Sequence, residues 1–155
     1  IPGLNKFYWA EVLRDENLPE NSTAAVIGGG LIGTEIASKL LSRGNAVYLI
    51  EILEDIARGM EMMEQKLILA SFKHEQMHIY TKTRVSRISG EYLYIEGENF
   101  VKEIKAKHII LATGMQSYRP FESLDNKEIY FIGDAQKVGK AQDAIKDAYE
   151  TAQII

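Results

Sequence analysis

An α/β fold, in which a central parallel sheet carries an antiparallel β-meander, is predicted by three observations on this sequence of 155 residues. Two short apolar runs, TAAVI (23–27) and AVYLIE (46–51), bracket a segment of helical period, the pattern of parallel strands buried on both faces and joined by a crossover helix. Between Met77 and Thr113 the period shortens to alternating runs punctuated by glycine and asparagine, as in hairpin-connected strands. Two further apolar runs, HIILAT (108–113) and IYFI (129–132), then return to the buried-strand pattern.

The elements follow in order. Residues 1–21 contain two of the three prolines and read as an arm or linker, with a short helical possibility at Tyr8–Arg14. The helix after the first strand spans Leu31 to Arg43, where Ile32, Ile36 and Leu40, with Ala37 and Leu41, recur at helical spacing and Gly44 marks the stop. The crossover it makes should be right-handed. Met60 to Gln76 forms a second helix, with Met63, Leu67, Ala70 and Phe72 inward, and Met60, Met62 and Met63 read as gap-filling core. HIYTK (78–82), RVSRI (84–88), EYLYIE (91–96) and FVKEIKA (100–106), with turns at Ser89-Gly90 and Gly97 to Asn99, make the meander. The buried strand Ile129–Ile132 and a helix over Lys140–Ile154 close the chain.

Composition narrows the function. A net charge of −4 without a cluster of Lys and Arg speaks against nucleic acid as a partner. The longest apolar stretch, Ala24 to Leu41, is broken by Glu35 and Lys39, so no membrane span is expected. The absence of cysteine removes disulfides, thiolate metal sites and a redox dithiol from these residues. The opening IPGLNKF suits neither a natural start nor a signal peptide, and the chain reads as a piece of a larger polypeptide.

Gly28-x-Gly30-x-x-Gly33 follows an apolar strand and opens a helix, the context that gives this glycine spacing its meaning as a dinucleotide site. The first glycine permits a tight turn, the second lets the backbone approach a pyrophosphate, and the third lets helix and strand pack closely. Glu51 ends the second strand, where a carboxylate can accept hydrogen bonds from ribose hydroxyls. A methyltransferase or a short-chain dehydrogenase also carries glycines and an acid. No tyrosine here is followed four residues later by lysine, as a short-chain dehydrogenase needs, and a methyltransferase is not expected to insert a meander before a strand ending in LATG (111–114). HEQMH (74–78) satisfies the zinc-protease pattern H-E-x-x-H, but the helical period ends near Phe72 and His78 starts an alternating run, so the imidazoles should not share a helical face and no metal is expected.

The combination VIGGGLIGTE (26–35), VYLIE (47–51), IARGM (56–60), IILATG (109–114) and IYFIGDA (129–135) resembles the pyridine-nucleotide region of two-dinucleotide-binding flavoproteins, the pyridine nucleotide-disulfide oxidoreductase-like superfamily. The opening IPGL and EILEDIARGM (51–60) most resemble the C-terminal region of the 2,4-dienoyl-CoA reductase and NADH:flavin oxidoreductase family, whose members join an old-yellow-enzyme-type barrel to such a module. The resemblance implies a Rossmann-like FAD/NAD(P)-binding three-layer ββα sandwich, with 22–114 as the NAD(H) domain and 115–155 as the returning C-terminal segment of the FAD domain. It further implies cofactor contacts at Gly28, Gly30, Leu31, Ile32, Gly33, Glu35, Glu51, Ala112, Thr113 and Gly114. Glu35 would lie near nicotinamide and flavin, while Gly133 and Asp134 would serve the flavin ribityl chain.

The bland readings are a first-turn acid for Glu35, a turn residue for Asp134 and a solvated loop for Arg58-Gly59. The flavin domain's own glycine pattern is absent, so a complete FAD site is expected only in the full-length protein. The expected function is an NADH-binding module, NADPH being disfavoured, that delivers hydride to flavin within a cytoplasmic oxidoreductase. Its partners would be the flavin and barrel domains of its own polypeptide, it would hold no catalytic acid or base, and the isolated fragment would be inactive. The alternative is a nucleotide-binding regulatory or redox-sensing module without catalysis.

Overall fold

Nothing charged interrupts TAAVI, and Ala24, Ala25 and Val26 of this strand, β1 (Thr23–Ile27), are fully buried. Both of its neighbours run parallel to it: β2 (Ala46–Ile50) on one side and β7 (His108–Leu111) on the other, with β3 (Met77–Tyr80) beyond β2. The computed structural model describes residues 1, 9–14, 18–121 and 127–155, and they fall into two compact units, Ile1–Gly114 and Met115–Ile155.

In the first unit the two-residue period of the strands sorts the core into two layers. Ala24, Val26, Val47, Leu49 and Ile110 meet Ile36, Ala37 and Leu40 of α2 (Leu31–Ser42), joined by Val12 of α1 (Trp9–Arg14) and by Phe72, which caps α3 (Met62–Ser71). Ala25, Ile27, Ile50 and Ile109 face the opposite way, onto Ile88, Leu93, Ile95 and Ile104. These four belong to the antiparallel sheet of β4 (Arg84–Ser89), β5 (Tyr92–Glu96) and β6 (Val101–Lys105). Meander, parallel sheet and helices are thus stacked as the predicted α/β class requires. Each wholly buried Leu or Ile contributes about 1.5–3 kcal/mol, which is why strands read on both faces are apolar throughout.

The stop after α2 is built as its sequence suggests, with Gly44 at φ +74. Beside it the buried Asn45 donates through Nδ2 to the carbonyls of Pro19 at 2.7 Å and Leu40 at 2.8 Å, and accepts at Oδ1 from Ser22 N–H at 3.1 Å. Leu18 is buried too, so this end of the arm is packed against the helical layer.

Three expectations are corrected. The run at 78–82 does not open the meander: β3 pairs with β2 in parallel, as the edge of the main sheet. At the edge of the sheet both faces are only partly covered, Met77 meeting the helical core and Tyr80 the meander core while Ile79 is exposed, so the run alternates and period does not separate it from an antiparallel strand. In α3 the inward residue is Ile68, with Phe72 one turn on, whereas Ala70 is exposed and Met63 and Leu67 are 63% and 67% exposed. Met63 and Leu67 share the i, i+4 spacing of Ile68 and Phe72, so the period does not choose between the two stripes. Met62 is exposed as well, so Met62 and Met63 are not core, while Met60 is half-buried.

The third correction lies in the second unit, where Ile129–Ile132 is not a strand and Tyr130 and Ile132 are exposed. Its apolar residues suit a strand, but no partner strand exists among the described residues of that unit. What forms is a 3-10 turn, Gly133–Ala135, followed by α4 (Ala141–Ala152). Gly133 N–H donates to Asp147 of α4 at 3.2 Å.

Candidate functional site

The turn from β1 into α2 contains glycines of two kinds. Gly28 has φ +106, and a Cβ there would stand 2.2 Å from the carbonyl oxygen of Ala112, at the end of β7. A Cβ on Gly33 would stand 1.9 Å from the carbonyl oxygen of Gly28 and 3.4 Å from the Ala112 methyl. The fold itself demands glycine at both. Gly30 is different: its φ of −70 is ordinary, and a Cβ would meet no atom within 4 Å.

Gly30 is the N-cap of α2, with no side-chain capping bond and no acid in the first turn. Thr34 occupies the Gly30 carbonyl with its N–H at 3.0 Å and its hydroxyl at 2.8 Å. The preceding N–H groups, those of Leu31, Ile32 and Gly33, have no acceptor within the helix and lie at the positive end of its dipole. Open space beside donors of this kind suits an anion, phosphate above all.

Glu51 follows β2 immediately and is 8% exposed. One carboxylate oxygen accepts from Gly29 N–H and the other from Leu53 N–H at 2.8 Å. Its own N–H donates to the Tyr80 carbonyl at 2.8 Å, and its carbonyl accepts from Thr83 N–H at 2.9 Å. The carboxylate is therefore held beside the glycine turn with lone pairs remaining for hydroxyl donors. Around it, Ile52 and Leu53 are exposed. Lys82 donates to Glu54 at 2.7 Å, and this bond holds the Glu54 carboxyl below its usual range and raises the Lys82 amine.

Of the residues singled out in the sequence, Gly28, Gly30, Gly33, Glu51 and Ala112 come together around this turn. Leu31 and Ile32 are half-buried, Ile32 against the helical core. Glu35 is exposed and lies beyond the first turn, so a dipole contact does not account for it. Thr113 and Gly114 continue β7 and are exposed, Gly114 with φ +95. Gly133 and Asp134 belong to the second unit, where Asp134 accepts from Gly139 N–H at 3.1 Å in a local turn. Arg58 is exposed. His74 sits in a bend after α3 and His78 on β3, its ring stacked on Tyr48 at 4.8 Å, so the H-E-x-x-H residues share no helix. Sequence reasoning missed the N–H groups of Gly29 and Leu53 that orient Glu51, and the buried Ala57, whose N–H donates to the Gly29 carbonyl at 2.7 Å. The middle glycine of GGG was a signal for the first of these; Ala57 gave none.

The family model described as pyridine nucleotide-disulphide oxidoreductase matches residues 1–148. The chain belongs to that family. Members similar to it include bilirubin reductase of Mediterraneibacter gnavus (strain CC55_001C), 27% identical over 94% of this chain and 23% of that protein. NADH oxidase of Thermoanaerobacter brockii is 28% identical over 93% of this chain and 23% of that protein. Among solved structures, 6-hydroxypseudooxynicotine amine oxidase from Pseudomonas geniculata N1 superposes with a TM-score of 0.79 at 20% identity, over 97% of this chain and 25% of that one. This oxidoreductase-family chain thus spans about a quarter of the length of those relatives, and the structural likeness concerns the fold. Among its described residues no helix is long and apolar enough to cross a membrane.

Proposed function

We propose that the chain is the NADH-binding module of a flavin-dependent oxidoreductase, with 22–114 as the nicotinamide-nucleotide domain and 115–155 as a returning segment of the flavin domain. The observation that carries this reading is Gly30, a glycine that neither backbone angle nor packing requires, set at an uncapped helix start beside a fixed, buried carboxylate. A pyrophosphate would occupy the space a side chain would fill, on the N–H groups of α2, and Glu51 would accept from the adenine-ribose hydroxyls. When bound, the nicotinamide supplies a hydride that flavin accepts. The chain's residues bind and orient, and none is assigned as acid or base.

The parent would be of the 2,4-dienoyl-CoA reductase or NADH oxidase kind, and what supports the second is that a relative named NADH oxidase matches nearly the whole chain. The rest of that polypeptide would be the partner, a reading supported by the apolar residues Ile145 and Tyr149, one turn apart on α4 and 70% and 66% exposed. FAD would be held in the full-length protein only, since Gly28–Gly33 is the chain's single such glycine pattern.

Preference for NADH over NADPH follows from charge. A 2′-phosphate against Glu51 adds like charge, Ile52 and Leu53 offer none to offset it, and Lys82 is already paired with Glu54. Glu51→Gln keeps an acceptor and removes the charge. NADH should bind roughly tenfold more weakly, with the gap to NADPH narrowed, as loss of a charged hydrogen bond of about 1.5–3 kcal/mol implies. Fluorescence titration of both dinucleotides tests this, and tighter binding of NADPH by the unmodified chain would defeat the assignment.

A further inference from the structure

Ala57 is fully buried, yet its φ is +57, in the left-handed region that alanine avoids because its Cβ crowds the following carbonyl. Such strain persists only where the surroundings over-determine it. Here they do so through the main chain: the Ala57 N–H donates to the Gly29 carbonyl at 2.7 Å, and the Ala57 carbonyl accepts from Met60 N–H and from Gln65 Nε2 of α3, each at 3.3 Å. Ile56, the preceding residue, presents its Cγ2 2.7 Å from where a Gly29 Cβ would stand. Gly29 is therefore gripped at both main-chain groups, its N–H by the Glu51 carboxylate and its carbonyl by Ala57.

We infer that Ala57 is a positioning residue for nucleotide selection, a strained clamp, braced by Gln65, that fixes Gly29 and so keeps the Glu51 carboxylate beside the glycine turn. The inference rests on the reading of Gly30 and Glu51 as the NADH site. Ala57 touches no ligand; it acts by denying the carboxylate room to swing aside, which is what admission of a 2′-phosphate would need. Selectivity for NADH over NADPH therefore depends on a residue in the core.

The test is the ratio of NADPH to NADH dissociation constants, by fluorescence titration of the chain and three variants. Ala57→Gly adopts the left-handed angle freely, so its ratio should match that of the unmodified chain and its melting temperature should not fall. Ala57→Val disfavours that angle, and its ratio should drop by roughly fivefold or more, as the loss of a strained but enforced conformation implies. Merely losing folded protein would weaken both dinucleotides equally and leave the ratio unmoved. Gln65→Met removes the brace from a part-exposed position on α3, where folding is safe, and should lower the ratio by about twofold. An unmoved ratio in both Ala57→Val and Gln65→Met overturns the inference while leaving the NADH site standing. If Ala57→Val does not fold, Gln65→Met decides alone. An unmodified chain that binds neither dinucleotide overturns the site reading and this inference with it.

Discussion

Gly30→Val is expected to fold nearly as well as the unmodified chain and to bind NADH at least about a hundredfold more weakly. The angle at Gly30 is one valine adopts readily, and no protein atom lies within 4 Å of the added Cβ. Exchanging glycine for an apolar residue at an N-cap costs on the order of 1 kcal/mol, so the melting temperature should shift by only a few degrees. The isopropyl group would, however, fill the space in front of the α2 donors and keep phosphate oxygens from them. Losing two charged hydrogen bonds of about 1.5–3 kcal/mol each accounts for a hundredfold or more. Thermal melts and NADH titration on the same sample check both halves. A variant that retains NADH affinity would mean that nothing occupies that space.

Gly33→Ala should do the reverse. Its methyl group would stand 1.9 Å from the Gly28 carbonyl oxygen, which belongs to the turn and cannot be rotated away as a side chain could. Either α2 lifts from β1, uncovering Ile36, Ala37 and Leu40, or the turn deforms. Overpacking of this kind costs about 3 kcal/mol, which for a chain of this length lowers the melting temperature on the order of 10 °C. Melting at the unmodified temperature would show that the helix and strand are not packed this closely. Together the two variants separate a glycine kept for folding from one kept for a ligand.

That separation marks how much the sequence makes legible. Spacing alone announces three glycines with three roles, and the strand TAAVI, the helix from Leu31 and the acid at Glu51 all stand where the apolar pattern puts them. Fully buried elements read well because every position along them is constrained. The period is least informative at the edges: β3, only partly covered on either face, imitates a hairpin strand, and α3 has two apolar stripes of equal spacing, of which Ile68 and Phe72 are taken inward. IYFI lacks a strand to pair with among the described residues of its unit, and its composition could not reveal that. Ala57 was invisible for another reason. A left-handed alanine is imposed by its N–H bond to the Gly29 carbonyl, distant in sequence, and by the bond its carbonyl accepts from Gln65, and leaves no local trace.

The central claim is that one complete nucleotide site resides in these residues and that the flavin site does not. In the second unit, Asp134 is the flavin-side acid that the family resemblance proposes, and a charged hydrogen bond contributes about 1.5–3 kcal/mol where micromolar affinity needs about 8. The direct measurement is titration of the purified chain with NADH and with FAD, read by nicotinamide fluorescence and by visible absorbance after gel filtration. The account predicts saturable NADH binding and a colourless protein that retains no FAD. FAD retained through gel filtration, or no NADH binding at any accessible concentration, would contradict it.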